Sequence, residues 1–341
     1  MRLSVEPTTI ADDLAIFHDG TVVERLEGLA PDREHEHRGR TFRTLRRPPG
    51  ELLTRIATVN DVHFGETECG RIDDHREGPI LSVPPGATPY PEVMNRAAVA
   101  EIAAAAVDAV FVKGDLSTDG TDEEFEAFER CYGVFGDRRY VVRGNHDAYR
   151  GQRRHAGDRW VDLPGLTVGL LDTVVPLATP GSLSETQLAE IEDRVAASDR
   201  RVLLLGHHQQ WTREDDGGRD GAYFGLHPDP SDALDAICAR HRHVIGYAAG
   251  HTHRHRVRRM TASGVPTIEI GCVKDFPGSW AEYRVYEGGV MQVVHRISDP
   301  DALAWSESCR VLYSDFGVDY AEYALGRLAD RCFVFPDRPA A

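Results

Sequence analysis

Short apolar runs alternate with longer helix-prone segments through the middle of this chain. Five of the apolar runs have the length and the Val, Leu and Ile content of buried strands: residues 52–59, 109–112, 140–142, 202–205 and 244–248. Four segments between them have a helical composition: residues 96–107, 121–134, 184–197 and 231–241. Thr121 with Glu124, and Ser184 with Gln187, form the pattern of capping boxes, and Ser231 is a third predicted N-cap. The alternation predicts an α/β fold.

The two ends of the chain have strand patterns of their own. A hairpin is predicted around Asp19-Gly20, within a small β element of residues 1–50. After the last of the five apolar runs, strands are predicted at residues 256–260 and 267–270, followed by a hairpin of residues 283–286 and 290–297. A helix is predicted over residues 318–329. Together these elements predict a sandwich of two mixed sheets flanked by helices.

Each of the five apolar runs ends at a cluster of ionisable or amide side chains. The clusters are Asp61-Val62-His63, Gly114-Asp115, Gly144-Asn145-His146-Asp147, Gly206-His207-His208 and Gly250-His251-Thr252-His253. Four of them begin with glycine, which lets the backbone turn sharply and pass close to a bound ion. Because open α/β sheets bind ligands at the carboxyl ends of their strands, these side chains are expected to converge.

The clusters together supply Asp, His, Asp, Asn, His, His and His, a set that suits two adjacent divalent metal ions. A pair of such ions can split a phosphoester by activating a water molecule and by stabilising the attacking and leaving oxygens. Imidazole and carboxylate ligands together favour manganese, iron or zinc over calcium, which prefers an all-oxygen shell. The pattern therefore predicts a metal-dependent phosphoric ester hydrolase.

Each cluster has a simpler explanation when it is considered alone. Asp61-Val62-His63 is also typical of a solvated surface loop, and residues 144–147 suit a turn or the start of a helix. His251-Thr252-His253 alternates as a strand does, with one imidazole in the core and the other exposed. The inference is therefore carried by five clusters at the ends of five predicted strands, and by no single cluster.

The order and spelling of these clusters resemble the calcineurin-like metallophosphoesterase superfamily. The motifs are Asp-x-His, Gly-Asp, Gly-Asn-His-Asp, Gly-His and Gly-His-x-His, and the resemblance runs from about residue 54 to residue 253. The resemblance implies a four-layer α/β/β/α sandwich of two mixed sheets. It also implies attack on phosphorus by a hydroxide that bridges two metals. The implied ligands are Asp61, His63 and His253 for one metal, Asn145, His207 and His251 for the other, and Asp115 as the bridge.

The resemblance also implies roles for residues that do not bind metal. His146 is expected to protonate the leaving alkoxide or to orient the phosphate, and Asp147 is expected to orient His146. Asn145 is expected to steady the phosphate oxygens together with His146. Two further candidates for binding the substrate are His208 and Arg254. Arg254 follows His253 directly, although a solvent-facing position on an exposed strand is the favoured alternative for it.

The substrate class follows from finer features of the resemblance. Thr118 stands three residues after Asp115, where purple acid phosphatases carry a metal-bound tyrosine, and this argues against that class. The clusters are most similar to those of class III cyclic-nucleotide phosphodiesterases and glycerophosphodiesterases. The expected substrate is therefore a 3′,5′-cyclic nucleotide, a glycerophosphodiester or a similar diester. The alternatives are a phosphomonoesterase, a nucleotide pyrophosphatase, a nuclease, or a non-catalytic scaffold, against which the intact His146 argues.

Composition and charge restrict the partners of the protein. The chain has 39 Lys and Arg against 55 Asp and Glu, a formal net charge of −16, which argues against tight binding to a nucleic-acid backbone. No apolar run approaches the roughly 18 residues of a membrane helix, and the amino terminus lacks the pattern of a secretory signal. The six scattered cysteines then suit reduced thiols in a cytoplasmic protein. Cys272 follows a predicted strand, where a core position is favoured over one beside the site.

Three segments are predicted along the chain. Residues 1–50 form the small β element, residues 51–275 form the metallophosphoesterase core, and residues 276–341 form an extension that either covers the site or joins two subunits. A long loop of residues 65–95 follows the first cluster. Its Asp73, Asp74 and His75 are candidates for the lining of the substrate entrance, with a solvated surface as the favoured alternative.

Overall fold

Two six-stranded sheets, stacked face to face, form the centre of this chain. The computed structural model describes residues 5–72, 78–213 and 224–336, so the predictions for Asp73, Asp74 and His75 lie outside the described residues. The strands are Glu6–Ile10 (β1), Leu14–Asp19 (β2), Val22–Glu27 (β3), Glu34–His37 (β4), Arg40–Arg43 (β5), Leu52–Val59 (β6), Ala109–Lys113 (β7), Arg139–Val142 (β8), Arg159–Leu163 (β9), Leu166–Leu171 (β10), Arg201–Gly206 (β11), Val244–Ala249 (β12), Arg256–Arg259 (β13), Pro266–Glu269 (β14), Ser279–Tyr286 (β15), Gly289–Arg296 (β16) and Cys332–Val334 (β17).

Helices cover the outer faces of the two sheets and form much of the carboxy-terminal segment. They are Tyr90–Ala104 (α1), Asp122–Tyr132 (α2), Asn145–Ala148 (α3), Glu185–Ala197 (α4), Pro228–Arg240 (α5), Pro300–Ser308 (α6), Tyr320–Leu325 (α7) and Leu328–Arg331 (α8). Short 3₁₀ helices lie at Gly133–Arg138, Cys309–Val311 and Ser314–Phe316. Within the described residues, none of these helices is long and apolar enough to cross a membrane.

Both sheets are mixed, as the sequence predicts. In the first sheet the spatial order is β17-β16-β15-β6-β7-β8, with β6, β7 and β8 parallel and the other pairs antiparallel. In the second the order is β13-β14-β12-β11-β10-β9, where β14, β12, β11 and β10 are parallel and the two edge strands are antiparallel. The five strands predicted to end at polar clusters are all among the parallel ones, so their carboxyl ends share one edge of each sheet.

Three apolar layers hold the sandwich together. The middle layer lies between the two sheets and includes Phe111, Leu203 and Tyr283, each fully buried. The other two pack α1 and α2 against the first sheet, and α4 and α5 against the second. The predicted four-layer α/β/β/α sandwich is therefore confirmed.

Helix starts agree with the sequence at two of three predicted sites. Thr121 and Glu124 form the full capping box of α2. The Ser184 hydroxyl accepts from the backbone nitrogen of Gln187 and caps α4, but the Gln187 side chain is directed to Asp158, so only half of that box forms. Helix α5 begins three residues before the predicted cap at Ser231, because a proline at its first position already has helical φ.

The chain ends add strands to this centre and pack on it. β1, β2 and β3 form a separate sheet that includes the hairpin predicted at Asp19-Gly20, and β4 pairs with β5. The hairpin of β15 and β16 lies inside the first sheet, where β15 pairs with β6. The helix predicted over 318–329 is wrong as a single element, because Gly326 at φ +55° separates α7 from α8. The division into residues 1–50, 51–275 and 276–341, the cytoplasmic location and the two-subunit contact stay predictions.

Replacing Leu203 with alanine is expected to lower the free energy of unfolding by about 2–5 kcal/mol, because its side chain is fully buried between the sheets. Urea unfolding followed by far-UV circular dichroism measures this loss. Leu177, which is 70% exposed, provides the control, and Leu177→Ala should change the stability by less than about 0.5 kcal/mol. Equal losses in the two variants would contradict the position of Leu203.

Candidate metal centre

Loops after five parallel strands bring the predicted side chains together at one end of the sandwich. Five of the seven predicted metal ligands have left-handed backbone conformations, with φ between 45° and 69°. They are Asp61, His63, Asp115, His251 and His253. Non-glycine residues rarely adopt this conformation, and it concentrates at functional sites where surrounding contacts enforce it. The backbone therefore turns sharply after three of the five strands, β6, β7 and β12, and directs these side chains towards one another.

Close backbone approach explains a glycine that precedes one of the ligands. Gly114 has φ +87°, and a Cβ atom there would lie 2.6 Å from the backbone nitrogen of Gly144 and 2.8 Å from Nδ1 of His207. A side chain at this position would push apart the loops that carry Asp115, Asn145 and His207. The glycine predicted from sequence to allow a sharp turn thus also allows three ligand loops to touch.

Asp115 lies at the centre of the cluster. Its Oδ2 atom is 3.5 Å from Nε2 of His63 and 3.3 Å from Nε2 of His207, and its Oδ1 atom accepts a hydrogen bond from the backbone nitrogen of His146. Asp61 joins Asp115 and His207 in a group whose possible ligand atoms lie within 4.8 Å of one another. The carboxylate therefore contacts imidazoles from two different strand ends.

The first set of predicted ligands lies on one side of Asp115. Asp61, His63 and His253 place their possible ligand atoms within 4.8 Å of one another, and Nε2 of His253 is 3.7 Å from Oδ1 of Asp61. Both ring nitrogens of His63 are buried and have no hydrogen-bond partner among the residues that the structure describes. A buried imidazole without a partner is unusual, and coordination of a metal ion would satisfy one of these nitrogens. The residues therefore fit a metal ion.

The second set lies on the other side. Oδ1 of Asn145 is 2.9 Å from Nε2 of His207, and the His251 ring centre is 5.0 Å from that of His207. The Asn145 amide nitrogen donates to the hydroxyl of Tyr149 over 2.6 Å, which leaves its oxygen facing the cluster. Nε2 of His251 lies 3.1 Å from the carbonyl oxygen of Phe224.

The electrostatics of the centre favour positive charge beside Asp115. Burial lowers the pKa of His251 to about 3, and burial also lowers the pKa of His63 well below its usual value, so both rings are neutral as metal ligands must be. Burial acts against protonation of His207 too, but the Asp115 carboxylate outweighs it and raises the pKa of His207 to about 9. The same ion pair more than offsets burial at Asp115 and holds the pKa of its carboxyl well below the usual value.

His146 and Asp147 have different surroundings from those predicted. Nδ1 of His146 lies 2.7 Å from the carbonyl oxygen of Thr118, so a backbone carbonyl orients the ring. The Asp147 carboxylate instead accepts hydrogen bonds from the backbone nitrogens of Leu116, Ser117 and Gly144. The prediction that Asp147 orients the His146 ring is therefore wrong, because its oxygens are used to join two ligand loops. Burial and the nearby Asp115 raise the pKa of Asp147 to about 6.

The two further candidates for substrate binding both have partners within the protein. His208 is fully buried, with Nδ1 2.8 Å from the Thr173 hydroxyl and Nε2 2.9 Å from the carbonyl oxygen of Thr179. Arg254 donates from Nε to Glu269 over 2.7 Å, and its guanidinium lies 5.0 Å from the centre of the Tyr323 ring. Their roles in binding substrate stay predictions.

Sequence reasoning missed two residues that contact predicted ligands. One is Tyr149, which holds the amide of Asn145. The other is Asp275, whose Oδ2 atom lies 3.4 Å from Nδ1 of His253. Asp275 follows β14, a parallel neighbour of β12. The expectation that ligands bind at the carboxyl ends of parallel strands, which identified the five clusters, therefore also applies to this sixth strand. Cys272 is fully buried, as favoured for it, but it also approaches the site, because its sulfur donates a hydrogen bond to Asp275 and lies in one group with Asp275 and His253.

Sequence comparison identifies relatives of this chain. The family model for calcineurin-like phosphoesterase matches residues 54–255. A probable glycerophosphodiester phosphodiesterase, GpdQ, of Arcobacter nitrofigilis is 26% identical over 167 residues, which cover 43% of this chain and 57% of that protein. The 3′,5′-cyclic adenosine monophosphate phosphodiesterase CpdA of Pseudomonas aeruginosa is 28% identical over 107 residues, covering 30% and 39%. The matched regions thus span less than two thirds of these curated relatives.

Solved structures share the fold of this chain. A dimetal phosphatase from Danio rerio superimposes with a TM-score of 0.58 at 17% identity, over 73% of this chain and 98% of that one. A purple acid phosphatase from yellow lupin gives a TM-score of 0.52 at 14% identity, over 82% and 60%. At these identities the likeness concerns the fold. The family match covers more than half of the sequence and includes all five clusters, and the chain therefore belongs to the calcineurin-like phosphoesterase family.

Proposed function

We propose that this protein is a phosphodiesterase that requires two divalent metal ions and hydrolyses a small diester, such as a 3′,5′-cyclic nucleotide or a glycerophosphodiester. The observation that carries the proposal is the position of Asp115, within 3.5 Å of an imidazole from each of two ligand sets. The sets that share it are Asp61, His63 and His253 for one ion, and Asn145, His207 and His251 for the other. The mixture of imidazole and carboxylate favours manganese, iron or zinc.

The proposed chemistry divides between the ions and the chain. When bound, the two ions supply an activated water and the positive charge that stabilises negative charge on the phosphoryl oxygens. His146 serves as the general acid: its Nδ1 proton is held by the Thr118 carbonyl, so Nε2 is the atom that delivers a proton to the leaving alkoxide. Asn145 donates one amide hydrogen to Tyr149, and the second hydrogen on the same nitrogen is the donor that would steady a phosphate oxygen.

Two observations support a diester over a monoester as substrate. The curated relatives at 26% and 28% identity are described as phosphodiesterases. In addition, two cations near the site are already paired, Arg254 with Glu269 and Lys274 with Glu66. A phosphodiester carries one negative charge at neutral pH and a monoester carries close to two, so the diester requires less positive charge from the protein.

Replacing Asp115 with alanine is expected to abolish both metal uptake and turnover, because both ligand sets lose the carboxylate that they share. Metal content after dialysis against manganese, measured by mass spectrometry, and hydrolysis of bis(p-nitrophenyl) phosphate test the two effects. Asp119→Ala provides the control, since that side chain is 57% exposed and pairs with Arg150 at the surface. Hydrolysis by Asp115→Ala at the parent rate with added manganese would show the assignment to be wrong.

Replacing His146 with alanine is expected to lower kcat by roughly 10²–10⁴-fold, the usual contribution of a general acid. The manganese content should not change, because His146 belongs to neither ligand set. His35, a half-buried histidine on β4 and outside both ligand sets, provides the control, and His35→Ala should retain both rate and metal. Loss of manganese from His146→Ala in step with the loss of rate would instead identify His146 as a ligand.

A substrate panel on the manganese-loaded protein tests the diester preference. Cyclic nucleotides, glycerophosphodiesters and nucleotide pyrophosphates are compared with bis(p-nitrophenyl) phosphate and the monoester p-nitrophenyl phosphate. We expect kcat/KM to be higher for the aryl diester than for the monoester, because the paired cations leave less positive charge for a dianion. A higher value for the monoester would favour the phosphomonoesterase alternative.

A further inference from the structure

A buried carboxylate lies directly behind one of the proposed metal ligands. Asp275 is fully buried, and its Oδ2 atom is 3.4 Å from Nδ1 of His253. The other ring nitrogen, Nε2, faces Asp61 at 3.7 Å, on the side of the ring where the first ligand set converges. The His253 ring therefore lies between two carboxylates, one inside the ligand set and one outside it.

The remaining contacts of Asp275 hold it in place. Its Oδ1 atom accepts hydrogen bonds from the Cys272 thiol at 2.9 Å and from the Tyr320 hydroxyl at 2.8 Å. Nζ of Lys274 is 3.7 Å from Oδ2. The carboxylate is therefore held in place by donors other than the imidazole.

A carboxylate in this position determines how the imidazole can act. A histidine that binds a metal through one nitrogen usually donates its other N–H to a carboxylate or carbonyl, which fixes the tautomer and makes the ring a stronger ligand. A proton on Nδ1, the ring nitrogen nearest Asp275, would leave the lone pair of His253 on Nε2, the atom that faces the ligand set. His207 has the equivalent arrangement, with Nδ1 2.9 Å from the carbonyl oxygen of Lys113.

Helix α7 supports the same loop from the carboxy-terminal segment. Besides the contact of Tyr320 with Asp275, the Tyr323 hydroxyl donates to the carbonyl oxygen of Thr252, between the two histidines of the last cluster. The backbone nitrogen of His255 donates to the carbonyl oxygen of Ala324. A six-residue helix near the end of the chain thus contacts both the loop that carries His253 and the carboxylate behind it.

We propose that Asp275 is a positioning residue that orients His253 and strengthens metal binding by the first ligand set, and that Tyr320 anchors Asp275 from α7. The inference rests on the proposed function, because it requires His253 to bind a metal. Asp275 itself is not proposed as a ligand. Its neighbour Cys272 lies in one group with it and His253, but the Cys272 thiol donates to Asp275 over 2.9 Å, and we assign it no ligand role.

Manganese binding to the Asp275→Asn variant tests the proposal. Asparagine keeps the size of the side chain and removes its charge, so one of the two manganese equivalents should bind roughly 10–100-fold more weakly while the other is unchanged. Isothermal titration of the metal-free full-length protein measures both. Asp235→Asn is the matched control, because Asp235 is a buried carboxylate that accepts from the backbone nitrogens of Ala262 and Ser263 and contacts no proposed ligand. Both manganese equivalents should bind to the Asp235→Asn variant with the affinities measured for the parent protein.

A double-mutant cycle shows whether Asp275 acts through His253. His253→Ala should weaken the same manganese equivalent, and adding Asp275→Asn to it should cause no further loss. Tyr320→Phe keeps the ring and removes the hydroxyl donor, and it should weaken binding of that manganese equivalent to a smaller extent. If Asp275→Asn does not fold, Tyr320→Phe tests the positioning role instead. Parent-like binding by Asp275→Asn, or an equal additional loss in the His253→Ala background, would overturn the positioning role alone. Failure of the parent protein to bind manganese would overturn the proposed function itself.

Discussion

The burial of Asp115 is the constraint on which the whole centre depends. Removing a carboxylate from water is costly unless positive charge compensates it, and only 2% of Asp115 is exposed. Among the residues of the chain, His207 supplies that charge, and its pKa rises to about 9 although burial opposes protonation. A divalent ion in the same place would supply more charge, while the neutral His63 and His251 supply lone pairs. The centre therefore favours cations before any substrate arrives.

The loops that hold this carboxylate are joined to one another through their backbones. The backbone nitrogens of Val62 and His63 both donate to the carbonyl oxygen of Asp115, and that of Asp61 donates to the carbonyl of Gly114. These bonds oppose the cost of the left-handed conformations, on the order of 1–3 kcal/mol for each strained residue. Strain at the five ligands is therefore sustained by the sheets beneath them, since a free loop would relax.

Both ends of the chain contribute to the same rigid support. The hairpin of β15 and β16 lies beside β6, the strand that leads to Asp61. In the amino-terminal segment, Asp12 and Asp13 pair with Arg284 on β15. In the carboxy-terminal segment, α7 contacts the loop around His253. The segments outside residues 54–255 are thus in contact with the strand and the loop that carry the first ligand set. In the proposed phosphodiesterase, changes in these segments would reach the metal centre through such contacts.

Local patterns were sufficient for the five strands that lead to the clusters, the four layers and the convergence of the clusters, because apolar periodicity and the position of each cluster at a strand end depend on residues close together in the chain. They did not reveal β9, β10 and β17. The contacts of individual side chains could not be predicted from local patterns. Asp147 joins loops instead of orienting His146, and Asp275 and Tyr320 reach His253 from beyond the last cluster. Such pairs form when distant segments pack, and a single buried Asp or Tyr has no distinguishing pattern along the chain.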